Sequence, residues 1–86
     1  MKILAVFHNH ADPTPHVADE TRRVADLRET GVIEQIWLKA DRSGAVLVVE
    51  ADDADDARRQ LSTLPLVERG ISTIEVTELV PLEDQV

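Results

Sequence analysis

Eighty-six residues make one small domain, 1–86, and the surface relation for that size has it burying roughly 60–65% of the unfolded chain's surface. Seventeen acidic residues against nine basic ones give a formal charge of −8, the wrong sign for gripping phosphates or an anionic membrane, and Phe7 and Trp37 are the only aromatic residues, so charge and stacking both argue against a nucleic-acid partner. The lack of cysteine removes disulfides, thiolate metal sites and a cysteine nucleophile, and suits a reducing cytoplasm.

Met1-Lys2 is followed by only five apolar residues, Ile3 to Phe7, before His8 and Asn9. A signal peptide's apolar region is typically about 7–15 residues and a membrane helix about 20, so a soluble, unprocessed, cytoplasmic chain without a membrane partner is expected. Ile3–Phe7 is instead a first strand, ended by a loop containing Asn9, Asp12 and two prolines. Thr14-Pro15 predicts a helix start, with threonine as N-cap and proline at the first helical position. Asp19 and Glu20 favour its dipole, and Gly31 caps its far end. Val32–Ala40 predicts a second strand, Asp41-Arg42-Ser43-Gly44 a tight turn, and Ala45–Glu50 an almost wholly apolar third strand. Asp52 and Asp53 then begin a second helix whose apolar positions are Ala54, Ala57, Leu61 and Leu64, with Pro65 and Gly70 ending it. Ile71–Leu79 is the last strand.

The order βαββαβ predicts a ferredoxin-like α+β fold, an antiparallel sheet in the order 4-1-3-2 with two helices on one face. Strands 1 and 3, which this order places centrally, are apolar at nearly every position, whereas strands 2 and 4 carry Glu34, Gln35, Lys39, Glu75 and Glu78. Two helices cover only one face of such a sheet. A second copy is expected to cover the other, closing a dimeric α+β barrel, so a homodimer or higher homo-oligomer is predicted.

All three histidines, His8, His10 and His16, fall within nine residues. With Asp12 they could hold a divalent metal, but they lack a recognised ligand spacing, and no tightly held metal is expected. The run Asp52-Asp53-Ala54-Asp55-Asp56 lacks the glycine and terminal glutamate of a calcium loop and reads as the acidic start of a helix. Glu20 is the sharper signal. At 100° per residue it shares a stripe with Val17, Val24, Leu27 and Gly31, a carboxylate in an apolar slot. Burial would raise its pKa toward the range in which a carboxyl both takes and returns a proton; the bland alternative is that it serves the helix N-terminus and reaches water. His16, four residues earlier, is expected beside it as a proton-handling partner.

Ala18-Asp19-Glu20, Gly31, Ile36-Trp37, Leu61, Leu64-Pro65-Leu66 and Ile74-Glu75-Val76, in this order and spacing, resemble the muconolactone isomerase-like members of the dimeric α+β barrel superfamily. Pro15-His16-Val17 and Leu66-Val67-Glu68-Arg69-Gly70 are similar to the YCII-like proteins, which share the fold and often show a histidine at the helix start. The first resemblance implies a small isomerase that works without a cofactor, moving a proton next to a carbonyl or lactone of a small organic acid. Glu20 would be its base and His16 its helper. Trp37, His8 and Glu75, the last matching the family's acid on the final strand, are expected to line the ligand pocket. The alternative reading is a non-catalytic barrel that binds a small molecule or acts as an accessory protein.

Overall fold

A computed structural model describes residues 1–84 of the chain. Strand β1 spans Lys2–Asn9; helix α1, Val17–Glu29, follows a single 3₁₀ turn at Thr14–His16; β2 is Ile33–Leu38 and β3 is Gly44–Glu50; α2, Ala54–Leu61, and the short α3, Pro65–Glu68, precede β4 at Ser72–Leu79. The four strands are antiparallel in the order β2-β3-β1-β4. Counted from the other edge this is 4-1-3-2, the expected ferredoxin-like sheet.

Strand alternation divides the sheet into two faces. Ile3, Ala5 and Phe7 of β1 stand in register with Val49, Leu47 and Ala45 of β3 and pack under Leu27, Ala57, Leu61 and Leu64 of the helices as one core. Their neighbours Leu4, Val6, Val46 and Val48 lie on the opposite face and keep part of their surface in water. Trp37 and Leu79 extend that uncovered band, with 53% and 38% of their surface exposed.

Two local expectations need correction. Thr14 does not cap α1: its own N–H and Oγ1 donate to Asp12 Oδ1 at 3.0 and 2.7 Å, so the aspartate two residues earlier organises a 3₁₀ turn, and the regular helix begins only at Val17. The second helix does not run through to Gly70. Ser62 and Thr63 return their hydroxyls to the carbonyls of Arg58 and Gln60, and Leu64, extended at ψ 134, takes the conformation that a following proline favours. Pro65, which has no N–H to lose, then starts α3. At the front of α2, Asp53 does cap as its type predicts, accepting the Asp56 N–H at 2.7 Å.

Candidate functional site

A cavity of about 400 Å³ lies on the helix side of the sheet, enclosed by α1, α3, the hairpin turn and the strand ends. Its walls are mostly apolar, with Phe7, Val24, Ile36, Leu47, Leu64 and Leu66 among them; Asn9, Glu20, Thr21, Arg42 and Ser72 supply the polar groups. A mainly apolar pocket of this size with a few convergent polar groups suits one small organic molecule.

Glu20 reaches this cavity because helical periodicity puts it on the stripe shared with Val24 and Leu27. One carboxylate oxygen, Oε1, accepts the backbone N–H of Leu66 at 3.0 Å. Leu66 is the second residue of α3, so Glu20 satisfies one of the N–H groups that a helix start leaves without a partner, although of another helix than its own. Half-burial pushes the Glu20 pKa above its ordinary value, and the Leu66 hydrogen bond opposes that shift without cancelling it. The consequence for stability follows from linkage. A carboxyl whose pKa is raised on folding favours the folded state most while protonated, and that contribution is lost as pH rises from the ordinary glutamate range through the raised value. Glu20→Gln, which stays neutral, is therefore expected to gain in melting temperature relative to the wild type as pH rises from about 4, with the gap levelling once the wild-type carboxyl is ionised. Parallel melting curves with no change in the gap would contradict the raised pKa.

At the end of β1, Asn9 follows the alternation of Phe7 onto the helix side. Its partner across the sheet is Ser72, whose buried hydroxyl donates to Asn9 Oδ1 at 2.5 Å. Asn9 thus lines the cavity with its Oδ1 bonded to Ser72, and among the described residues its amide nitrogen donates no hydrogen bond.

Arg42 comes from the turn between β2 and β3. Its N–H closes the turn on the Lys39 carbonyl at 2.9 Å, Asp41 Oδ1 binds the Ser43 N–H and hydroxyl, and Arg42 itself has φ 64. That left-handed conformation favours glycine or asparagine over a long side chain. Among the described residues the Arg42 guanidinium forms neither an ion pair nor a side-chain hydrogen bond.

The other expected residues lie elsewhere. His16 does not join Glu20 at the cavity. It sits at the end of the 3₁₀ turn with φ −116 and ψ 4, outside the helical register that would have placed it one turn above Glu20. Trp37, His8 and Glu75 share the uncovered face, with Trp37 on one edge strand and Glu75 on the other: Trp37 opposes Val46, Val46 opposes Val6 and Val6 opposes Glu75 across the sheet. Lys39 Nζ donates to His8 Nδ1 at 3.1 Å, and His8 Nε2 lies 3.6 Å from Glu75. These three residues therefore do not line the cavity that Glu20 faces, because even-numbered β1 positions point away from the helices. The cavity itself lies under the helices, not at the rim of the uncovered face. His10 bonds Thr73 Oγ1 at 2.7 Å, so the three histidines diverge, and among the described residues no group of three histidines or acids is placed to share a metal. Asn9, Arg42 and Ser72 were not singled out by sequence. For Asn9 the signal was available, since strand parity assigns it to the side of Phe7.

A family model described as muconolactone delta-isomerase matches residues 9–84. The crystal structure of a muconolactone isomerase is similar over 94% of this chain and 90% of its own, with a TM-score of 0.75 at 23% identity. The 5-chloro-2-hydroxyhydroquinone dehydrochlorinase of Burkholderia phenoliruptrix AC1100, solved in complex with 2,5-dihydroxybenzoquinone, is similar over 93% of this chain and 94% of its own, with a TM-score of 0.71 at 15% identity. Among curated protein sequences none matches the chain.

Proposed function

Since the chain belongs to the muconolactone delta-isomerase family, we propose that it is a small isomerase-type enzyme that moves a proton next to the carbonyl of a lactone or related small organic molecule, with Glu20 as the proton carrier. The observation that carries this reading is the position of Glu20: a half-buried carboxylate with a raised pKa, facing an apolar cavity and held by one oxygen on the Leu66 N–H. Anchoring Oε1 orients the other oxygen for use. Oε2 takes the proton from the carbon beside the carbonyl, and the electron pair of that C–H bond moves into the conjugated system as an enolate. The same carboxyl, now protonated, returns the proton to a different carbon and shifts the double bond. Asn9 would donate its amide N–H to the enolate oxygen, where charge develops, while the apolar walls keep bulk water from competing for the proton. No oxidant, reductant or cofactor enters this cycle.

The test is proton exchange with solvent. In deuterated buffer the protein should label a butenolide or keto acid beside its carbonyl, the signal followed by NMR. A panel that shows no exchange would favour the second reading, a binding module in which Glu20 serves only to cap α3; the Leu66 hydrogen bond is the observation in its favour.

The uncovered face supports an assembly proposal of the same kind. Leu4, Val6, Val46 and Val48 form an apolar band on the two central strands, continued by Trp37 and Leu79 and bordered by the Lys2–Glu34 and His8–Glu75 pairs. A second copy laid across this band would remove it from water and close a barrel. Light scattering at micromolar concentration is expected to give a dimer or larger assembly, and Val48→Lys to shift it toward monomer. A wild-type chain that is monomeric under those conditions would refute the arrangement.

A further inference from the structure

We infer that Ser72 is the positioning residue that turns the Asn9 amide, so that the cavity takes a molecule presenting a hydrogen-bond acceptor, a carbonyl oxygen, at the end of β1 and discriminates against one presenting an N–H there. The inference rests on the reading of this cavity as the substrate site and adds the residue that sets its polarity. Asn9 and Ser72 both line the cavity and stand opposite each other across the β1–β4 pair. Their backbones are held on both sides: the Asn9 N–H bonds the Ser43 carbonyl and the His10 N–H the Ile71 carbonyl, each at 2.7 Å. What stays open is the rotation of the amide itself. Its two ends are nearly equal in size, and a half-turn about the Cβ–Cγ bond exchanges acceptor for donor.

Ser72 decides between the two. It is 2% exposed, the one buried polar residue among those described, and a buried hydroxyl left without an acceptor is costly. Among the described residues its Oγ makes a single side-chain hydrogen bond, donated to Asn9 Oδ1 at 2.5 Å. With the amide reversed, Ser72 would meet an NH₂ group, and its own O–H would lose that acceptor. The hydroxyl therefore selects the carbonyl end for itself, and the end left for a ligand is the amide nitrogen. Glu20 is tied to the same strand end: its Oε1 takes the Leu66 N–H at 3.0 Å, and the Leu66 carbonyl takes the N–H of Ile71, the neighbour of Ser72, at 2.9 Å. A carbonyl oxygen on the Asn9 donor leaves the adjacent carbon for the carboxylate.

The consequence is a selectivity that turnover is not needed to observe. 1-Indanone and indole are flat, neutral bicycles of similar size, of which the first offers only an acceptor and the second only an N–H donor. Titrated into ¹⁵N-labelled protein, 1-indanone is expected to bind more tightly and to shift the side-chain NH₂ resonances of Asn9, with NOEs from those protons to the ligand. Ser72→Ala removes the hydroxyl and frees the amide to turn, so the preference for 1-indanone over indole should fall by about 3–10-fold, the range of one hydrogen bond. Ser72→Thr, which keeps the hydroxyl, should restore it. Asn9→Asp still accepts from Ser72 but has no N–H to offer, and its preference should turn toward indole. The assignment is overturned if neither probe binds the wild type, if the two bind it alike, or if Ser72→Ala keeps the wild-type ratio, since a merely loosened cavity would weaken both probes together. A Ser72-dependent preference in a protein that exchanges no deuterium would uphold the assignment and remove proton transfer. Deuterium exchange with rate and KM unchanged in Ser72→Ala would do the reverse.

Discussion

Replacing Glu20 by glutamine is expected to leave the protein folded and assembled while lowering proton exchange into its substrate by about 10²–10⁴-fold, the usual contribution of a positioned general base. The amide keeps the length and planarity of the carboxylate, and its Oε1 still accepts the Leu66 N–H that Glu20 binds at 3.0 Å; the start of α3 should therefore survive. What the amide cannot do is take a proton. Glu20→Ala separates the two roles further, because it also removes the acceptor, and losing such a helix-capping group costs about 0.5–2 kcal/mol. Circular dichroism and melting curves on both variants, beside the deuterium assay, sort the outcomes. Loss of exchange in both with loss of stability only in Ala identifies a base that also braces α3. Exchange by Glu20→Gln at the wild-type rate would leave Glu20 with the bracing role alone. The pH profile provides a second check, since a base with a raised pKa loses activity in acid at a higher pH than an ordinary glutamate would.

The fold was legible because its determinants are local and repeated. Apolar runs at Ile3–Phe7 and Ala45–Glu50, charged edges at Glu34 and Glu75, and Gly31 at φ 85 all point to one sheet order; β1 extends its apolar run at both ends and β3 by one residue, whereas β2 and β4 stop short of the expected Val32–Ala40 and Ile71–Leu79. The breaks came where a side chain outside the repeating pattern decides the geometry. Asp12 claimed the hydrogen bonds expected of Thr14. Leu64 turned extended ahead of Pro65 and gave α3 as a separate element.

The site was half legible, and the division is physical. Glu20 could be found because the period of a helix reports which positions face inward. Trp37, His8 and Glu75, expected at the ligand pocket, stand on the face away from the cavity that Glu20 lines, a placement that family likeness does not report and the Ile3, Ala5, Phe7 alternation does. Arg42 could not be found in this way. A turn residue has no period, and its placement over the cavity depends on how β2 and β3 meet, a property of the hairpin rather than of any short motif.

That hairpin is most exposed to a single methyl group at Gly44, the first residue of β3, and Gly44→Ala is expected to be the most damaging small substitution in the chain. A Cβ at this position would stand 1.8 Å from the carbonyl oxygen of Phe7 and 2.8 Å from its carbonyl carbon. Both obstacles are backbone, so no rotamer change relieves them. Gly44 faces His8 across the central strand pair, and easing the clash means prising β3 from β1 where Asn9 N–H bonds the Ser43 carbonyl at 2.7 Å and Lys39 N–H bonds that of Gly44 at 2.9 Å. Overpacking typically costs about 1–3 kcal/mol when side chains can yield, and here they cannot, so a loss of at least about 3 kcal/mol is expected. For a domain of this size that corresponds to a fall of about 15 °C in melting temperature. Gly31→Ala and Gly70→Ala are the matched controls. Both glycines have positive φ, at 85 and 72, but open space around a built Cβ, so each should cost about 1 kcal/mol, the conformational penalty by itself. If Gly44→Ala melts with these controls, the close approach of β1 and β3 at the cavity mouth is wrong. If it melts far below them, the same contact that excludes a methyl group is what fixes Asn9 and the Arg42 turn on either side of the cavity.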